Sequence, residues 1–401
     1  MRGPCCVALV ALVGACAKPP PRELVVHAGL VVDGTSAPPR ERVKLTLVDG
    51  VITAIEDDHG ALDVASETRA VIDARKATVL PGLVDLGHAL FPEADCDQDE
   101  RSLAEATRGG LLALAAGTTS LIAVDTQPTP LVQLRRVVGT ARHRGPRIFA
   151  TGAGVEVRVT DADTPVYPRS RVLPMGNAVA AGAAVELEVE GDADVLLIEV
   201  GPLGDRPAEL EKTLCAALDA GRRHELRTWV RVQDDAGLAA AARCKAHAVS
   251  FTSATSATEA SLALARTNAT TLVLDPATQD LPRILASGVK LGIATGLATC
   301  GTPASRLEKT LTGVHAKGLS ASALVRAATS DGAAVLGLGE VLGRVAVGYR
   351  GDLLVVDGDP TNDVGALTRV REVILDGVVQ HPEGTQPALV TFWAWLRVLW
   401  D

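Results

Sequence analysis

From Thr78 onward the chain alternates short β-rich runs with amphipathic or Ala-rich stretches, and this alternation most constrains its fold. Strands separated by helices favour a parallel sheet. The runs predict strands near residues 79–88, 118–125, 146–152, 195–200, 227–233, 248–253, 270–275 and 290–295, with helices such as 101–115, 206–221, 235–245 and 257–266 between them. Eight strands and their helices in about 250 residues predict an α/β fold, a (β/α)8 barrel of the TIM type. Residues 155–175 fit neither pattern and are predicted to form a loop or lid insertion.

The two ends of the chain outside this alternation are rich in β-forming residues. Near the N-terminus, β-rich runs cover Glu23–Val32, Val43–Val48 and Val51–Glu56. Asp49-Gly50 separates the last two runs and is typical of a hairpin turn. Asp376-Gly377 marks a similar turn near the other end. These patterns predict strands at both ends.

The N-terminal segment is typical of a targeting sequence, which is left out of fold reasoning. Arg2 supplies a positive charge, Cys5–Val13 forms an apolar run, and the small residues before Cys16 resemble a bacterial lipobox. This resemblance implies a signal peptide over residues 1–15, lipidation of Cys16 and a linker over residues 16–22. The protein is then expected in the bacterial cell envelope, held by its lipid at the periplasmic face of the outer membrane. An ordinary secretory leader and a short membrane anchor are the alternatives, although the run is too short to span a bilayer as a stable helix.

Charge and cysteine usage narrow the classes of partner and site. Lys+Arg 39 against Asp+Glu 48 gives a net charge of −9. An acidic chain without a basic run is a poor candidate for nucleic-acid binding. Outside the leader, Cys96, Cys215, Cys244 and Cys300 show no CxxC spacing. They are predicted to be buried small apolar residues, not a zinc cluster or a disulfide framework.

Three segments carry a resemblance to the metal-dependent amidohydrolase superfamily, in particular to its imidazolonepropionase- and dihydroorotase-like members. Val79–Leu90, which reads VLPGLVDLGHAL, resembles the first barrel strand, where Pro-Gly precedes Asp-x-His-x-His. Gly339–Pro360 resembles a late Gly-rich strand of the family, and Val370–Val379 resembles its closing hairpin. The resemblance covers residues 23–380, and its two ends are the specific parts.

This resemblance implies both a domain arrangement and a chemistry. Members build a small composite β-sandwich from both chain ends, here residues 23–78 and 338–380, beside a barrel that here spans residues 79–337. They hydrolyse carbon–nitrogen bonds with zinc or another divalent metal at the C-terminal mouth of the barrel. The metal polarises the substrate and lowers the pKa of a bound water.

The positions that the resemblance assigns to metal ligands hold residues that do not ligate. These positions are Gly87, Ala89, Leu197, Arg231, Phe251 and Gly296. A guanidinium has no lone pair to offer a metal, and His247 comes too early in its strand to replace a ligand. We therefore predict no bound metal and no other cofactor.

Asp85, Glu199 and Arg231 remain as candidate ligand-binding residues. Arg231 can hold a carboxylate or phosphate through two hydrogen bonds, which predicts a small anionic ligand. Glu199 either serves as a ligand, as a bridging glutamate does in some relatives, or pairs with Arg231 or caps a helix. In an alternating strand Asp85 shares a face with Gly87, and His88 points toward the helices unless a bulge shifts the register.

Three functional hypotheses follow. The first is a binding or scaffold protein that has lost metal-dependent hydrolysis. The second is an active hydrolase of carbon–nitrogen bonds, other than peptide bonds, with a non-standard site. The third is a structural lipoprotein without a ligand. Losing the whole ligand set removes the Lewis acid, the nucleophile and the base together, so the sequence favours the first. It does not indicate the oligomeric state.

Residues 381–401 form an aromatic tail in a chain otherwise poor in aromatic residues. Trp393, Trp395 and Trp400 are three of the four tryptophans. At helical spacing the apolar residues of this tail form one broad face. A helix there either docks on the fold or lies at the membrane interface beside the lipid anchor, since it is too short to span a bilayer.

Overall fold

A computed structural model describes residues 23–88, 90, 103–124, 145–158, 171–174, 177–201, 207–252, 257–275, 278–295 and 307–380. The predicted signal peptide, the lipidation site Cys16, the aromatic tail, Ala89 and Gly296 lie outside these residues. Among the described residues, no helix combines the length and the hydropathy that a membrane span requires.

A seven-stranded sheet unites the two ends of the chain. The N-terminal end supplies β1 (Glu23–Val31), β2 (Arg40–Val48), β3 (Val51–Asp57) and β4 (Arg69–Pro81), and the C-terminal end supplies β15 (Leu353–Val356), β16 (Val370–Leu375) and β17 (Val378–Gln380). The order is β17-β16-β15-β4-β1-β2-β3, so the two ends meet where β15 pairs antiparallel with β4. The predicted turn forms at Asp49-Gly50, where both residues have positive φ, as a tight hairpin requires. A composite β domain built from both chain ends is thus confirmed.

The remaining strands are parallel, and all except the strand at Arg171–Pro174, which among the described residues pairs only with the strand before it, form the barrel. They are β5 (Leu83–His88), β6 (Thr118–Ala123), β7 (Arg147–Ala150), β8 (Val155–Arg158), β9 (Arg171–Pro174), β10 (Val195–Val200), β11 (Arg227–Val232), β12 (Ala248–Phe251), β13 (Thr271–Leu274) and β14 (Leu291–Ile293). Pairing runs β5-β6-β7 in one sheet and β14-β13-β12-β11-β10-β8-β9 in another. β14 also contacts β5, which closes the ring. The predicted (β/α)8 barrel is confirmed.

One barrel strand is split into two parts. The prediction of a loop over residues 155–175 is wrong at both ends of that segment, because each end forms a strand. β7 pairs with β6, whereas β8 pairs with β10, so together they fill the third strand position. β8 lies at residues 155–158 and β9 at 171–174, inside the segment predicted to be a loop or lid. Val155 and Val157 are buried, so this strand alternates apolar residues with Glu156. Four residues with two positive-φ glycines separate it from β7, and they interrupt the run of β-forming residues.

The helices pack outside the barrel, except the last, whose Ala333 and Val335 pack with residues of the barrel interior. They are α1 (Leu103–Ala115), α2 (Ala178–Glu190), α3 (Pro207–Arg223), α4 (Asp235–Arg243), α5 (Glu259–Thr267), α6 (Leu281–Ser287), α7 (Leu307–Ala316), α8 (Ala321–Ala327) and α9 (Ser330–Val335). Local sequence explains several starts, because Asp234 accepts a hydrogen bond from the backbone N–H of Gly237 and Thr258 accepts one from that of Ser261.

Arg147 at the start of β7 fastens the barrel to the composite sheet. Its Nε and Nη2 donate to the carboxylate of Asp352, at 3.1 and 3.2 Å. Asp352 also accepts from the backbone N–H of Asp376 at 2.8 Å, and Asp376 in turn pairs with Arg147 and Arg350. This network joins the two parts of the fold at residues distant in sequence.

Cys215 on α3 and Cys244 at the end of α4 form a disulfide, with their Cα atoms 4.8 Å apart. The prediction that the cysteines form no disulfide is therefore wrong for this pair. The two are 29 residues apart in sequence, and only the packing of α3 beside α4 brings them together. Cys96 and Cys300 lie outside the described residues.

Candidate functional site

The inside of the barrel is filled by an apolar group that we call the interior cluster. Its buried members are Val84, Leu86, Ile122, Val195, Leu197, Trp229, Ala248, Val273, Ala294, Ala333, Val335, Leu336 and Leu342. Trp229 is its largest side chain and is only 2% exposed. Its indole Nε1 donates to Ser250 Oγ at 3.0 Å, so the polar edge of the ring has a partner.

Gly87, the position that the resemblance assigns to the first histidine ligand, abuts this cluster. A Cβ atom on Gly87 would lie 2.8 Å from Cη2 of Trp229 and 2.9 Å from Cβ of Ala294. Such distances are shorter than normal carbon–carbon contacts, so any side chain there requires the indole or β14 to move. The space that a ligand at position 87 needs is therefore already occupied.

Two further ligand positions are also apolar and packed. Leu197, where the resemblance places a lysine, belongs to the interior cluster and is 8% exposed. Phe251, where it places a histidine, packs partly buried against the apolar layer between the strands and the outer helices. Neither position offers a donor atom to a cation.

Asp85 ties β5 to the end of β14. It accepts hydrogen bonds from the backbone N–H of Gly87 at 3.1 Å, Nδ1 of His88 at 2.9 Å, and the backbone N–H and Oγ1 of Thr295 at 3.0 and 2.7 Å. Burial raises the pKa of Asp85, but the hydrogen bonds from His88 and Thr295 outweigh it and hold the pKa below its ordinary value. Asp85 is thus a satisfied carboxylate that closes the barrel, and these partners do not include Glu199 or Arg231.

The expected common face of Asp85 and Gly87 is wrong, because β5 is irregular. Its register with β6 shifts between Leu83 and Val84 and again between Asp85 and His88. Val84 and Leu86 contact the interior cluster, and Gly87 abuts it as well. Irregularities of this kind break the alternation of faces on which the expectation rested.

Glu156, Glu199 and Arg231 lie side by side on three adjacent strands. Glu199 on β10 is in register with Glu156 on β8 and with Arg231 on β11. Nη1 of Arg231 donates to Oε1 of Glu199. The side chains of Arg231 and Glu199 are 7% and 14% exposed. Both lie one residue before the C-terminal end of their strands, the end at which TIM-type barrels place their sites. The sequence alternative that pairs Glu199 with Arg231 is the one that forms.

This charged row is an unusual environment for a carboxylate. Burial raises the pKa of Glu199 to about 7; Arg231 opposes that rise, and the charge of Glu156 adds to it. Glu199 therefore exchanges a proton near neutral pH. Two carboxylates beside one guanidinium carry a net charge of −1 when all are ionised. This balance weakens the support for a small anionic ligand on Arg231, which stays a prediction.

The described residues do not fit a divalent metal in the barrel. Their one group of three donors close enough to share an ion is Glu211, Cys215 and Cys244, on the outer helices. His247 lies just before β12 and accepts a hydrogen bond from the backbone N–H of Thr228 at 3.0 Å. Burial, together with nearby arginines, lowers the pKa of His247 to about 4. It is a neutral structural histidine.

Sequence reasoning missed Trp229, Ser250 and Glu156. Trp229 lies two residues before Arg231, and strand alternation alone places both on one face. Glu156 was hidden in the segment predicted to be a loop. Nothing in the sequence indicates that the indole of Trp229 fills the space beside Gly87, because the contact joins β11 to β5.

Comparisons with known proteins agree with this architecture. Residues 78–379 match the sequence model of the amidohydrolase family. No curated protein sequence matches the chain. Among solved structures, a Xaa-Pro dipeptidase with methionine bound in its active site superposes with a TM-score of 0.73, at 20% identity over 90% of this chain and 100% of that one. Molinate hydrolase gives 0.73, at 18% identity over 93% and 97%. The ochratoxinase of A. niger gives 0.72, at 16% identity over 91% and 97%. At these identities the structures show the fold.

Proposed function

Because the chain belongs to the amidohydrolase family, we propose that it uses the family's barrel as a binding or scaffold protein, without metal-dependent hydrolysis. The observation that carries this proposal is the contact between Gly87 and the indole of Trp229. A histidine at position 87 has no space, and the apolar side chains of the interior cluster around it offer no atom that ligates a metal ion. The chemistry of a metal-bound hydroxide requires several imidazole and carboxylate ligands converging on one point.

The charged row supports a binding role at the mouth of the barrel. Arg231 is buried and Glu199 is partly buried, and the two are hydrogen-bonded to each other. An incoming polar ligand must either break their ion pair or bind beside it. Removing charges from water is costly unless they are paired. A ligand that contacts both groups therefore needs its own donor for Glu199 and its own acceptor for Arg231.

Metal content and hydrolysis together test this proposal. The full chain is purified, dialysed against zinc and then against buffer, and assayed for zinc and for hydrolysis of Xaa-Pro dipeptides and of molinate. These substrates are taken from the names of the solved relatives. We expect far less than one equivalent of zinc and no turnover that depends on it. About one or two equivalents retained through dialysis, with activity lost on chelation, overturns the proposal.

One observation favours a second candidate, a hydrolase of carbon–nitrogen bonds with a non-standard site. A partly buried glutamate whose pKa lies at about 7 is suited to general acid–base catalysis near neutral pH. Turnover that survives chelator but disappears in Glu199→Gln is the result that selects this candidate. Arg75→Gln, on the composite sheet, is the control that leaves such turnover unchanged.

We also propose that lipid on Cys16 tethers the protein to the bacterial membrane. The lipobox-like sequence before Cys16 supports this. Metabolic labelling with a radioactive fatty acid is expected to mark the wild-type chain and not Cys16→Ser, and equal labelling of the two chains contradicts the tether.

A further inference from the structure

We infer that the Cys215–Cys244 cross-link is made after export, by exchange with a protein that carries an oxidising disulfide, and that it locks α3 to α4 on the outside of the barrel. The bond lies outside the charged row and the interior cluster. It therefore serves the folding and the location of the chain, and does not depend on the function proposed above.

Noncovalent contacts on both sides of the bond hold the two sulfurs together. Arg243 on α4 donates to both carboxylate oxygens of Glu211 on α3, at 2.7 and 2.6 Å. Arg222 at the end of α3 donates to the backbone carbonyls of Cys244 and Lys245, at 2.9 and 3.1 Å. These contacts hold the helices in place on either side of the cysteines. Neighbouring thiols held in this way close into an intramolecular disulfide readily.

A metal site is the alternative to the disulfide, because the two cysteines and Glu211 could together hold a soft metal ion. The contacts of Glu211 disfavour that alternative. Glu211 and the two cysteine sulfurs lie within 4.8 Å of one another. Both oxygens of Glu211 are already bonded to Arg243, whose hydrogen bond also lowers the pKa of Glu211. A cation there must displace a guanidinium and lie beside its positive charge. Disulfide formation needs neither change.

The oxidation balances as a thiol–disulfide exchange. The thiolate of one cysteine attacks the disulfide of the oxidant, and the second then attacks the resulting mixed disulfide. Two protons and two electrons leave Cys215 and Cys244, and the oxidant leaves as a dithiol. Cys215 is half-buried, whereas Cys244 is 4% exposed, so Cys215 is the sulfur that an oxidant reaches once the helices have packed.

The compartment follows from the redox chemistry. Cytosolic thiol systems keep most cysteines reduced, and structural disulfides persist in the bacterial periplasm and beyond it. The leader-like sequence before Cys16 points to the same route, from residues that take no part in the disulfide. The two observations are independent, so they support export from separate parts of the chain.

Peptide mapping in two hosts tests the inference. The full chain with its own leader is produced in a Gram-negative host with its periplasmic thiol oxidase and in one without it. Free thiols are blocked before lysis, and the protein is digested with trypsin without reduction. Cleavage after Lys212, Arg222, Arg243 and Lys245 gives peptides 213–222 and 244–245. We expect these peptides joined in the first host and largely blocked as separate thiols in the second.

Three outcomes overturn the inference: both cysteines blocked in the first host, both blocked with a stoichiometric metal that Cys215→Ser abolishes, or equal joining in the two hosts. Cys300→Ser is the matched control and keeps the joined peptides. Stability gives a second readout. We expect Cys215→Ala/Cys244→Ala to lower the Tm by about 3–5 °C, and we expect the same from reduction of the native wild type. Should the variant fail to fold, reduction of the folded wild type decides alone, and an unchanged Tm refutes the lock.

Discussion

Substituting Gly87 by alanine tests directly whether the indole of Trp229 occupies the first ligand position. The new Cβ meets Cη2 of Trp229 at 2.8 Å and Cβ of Ala294 at 2.9 Å. Relieving such overlaps in a packed core costs about 1–3 kcal/mol. In a protein of this size that corresponds to a fall in Tm of roughly 1–4 °C.

A double-mutant cycle separates this overlap from other effects of the new methyl group. Trp229→Phe removes the outer ring that carries Cη2 and leaves Ser250 without its indole donor, at a cost of about 1–3 kcal/mol. In that background the overlap with the indole is gone and only the contact with Ala294 remains, so the cost of Gly87→Ala falls by about 1–2 kcal/mol. The expected coupling is therefore favourable by about 1–2 kcal/mol.

Urea denaturation followed by far-UV circular dichroism measures the free energy of unfolding of the four proteins. Gly313→Ala in α7 is the control, because a Cβ there meets nothing within 4 Å; it is expected to stabilise the protein by about 0.5–1 kcal/mol. Equal costs of Gly87→Ala with and without the indole refute the packing argument. The indole then does not occupy the first ligand position, and the proposed loss of metal chemistry loses its main support.

Three further predictions concern charge. Burial lowers the pKa of His247 to about 4 in the folded protein, against about 6.5 in the unfolded chain. Between these two pH values the unfolded chain binds a proton on His247 that the folded protein does not, so the free energy of unfolding falls as pH drops from about 6.5 toward 4. The His247→Asn variant keeps an acceptor for Thr228 but does not titrate. Its urea unfolding midpoint should therefore change less than that of the wild type over the same pH range. Burial raises the pKa of Glu199 to about 7, so below that pH its bound proton stabilises the folded state. The infrared band of the protonated Glu199 carboxyl, identified as the band absent from Glu199→Gln, should disappear from the wild type as pH rises, with a midpoint of about 7. A midpoint near the pKa of a free glutamate contradicts this. Asp352→Asn weakens the network around Arg147 and should cost about 1–3 kcal/mol in urea unfolding; no loss of stability means that the network does not hold the barrel to the composite sheet.

The sequence predicted the parts of the fold that depend on local pattern. Short β-rich runs separated by helical stretches located the barrel strands, and the Asp49-Gly50 turn located a hairpin, because both are properties of a few adjacent residues. The interruption between β7 and β8 escaped prediction, since only pairing with different neighbours shows that the two halves share one strand position.

The candidate site was predicted in part, for the same reason. Arg231 and Glu199 were identified because each occupies an expected strand end. Their ion pair depends on the register between β10 and β11, which leaves no mark in either strand alone. The partners of Asp85 depend on the closure of the barrel between β5 and β14, and the disulfide depends on the packing of α3 and α4. Contacts between distant segments decide these features.

The free-energy cost of burying polar groups inside the barrel points to the charged row as the place to look for a ligand. A buried imidazole or carboxylate without a metal loses its hydration and gains no partner, so apolar residues such as Leu197 and Trp229 stabilise a metal-free interior better. That argument predicts an apolar residue at position 199 as well. Instead, Glu199 and Arg231 form an ion pair at the rim of the interior cluster. Replacing such a pair by apolar residues is often neutral or stabilising, so stability alone does not explain the pair. The proposed binding or proton exchange at the mouth would give the pair a role, and a ligand that shifts the titration of Glu199 is the one to pursue.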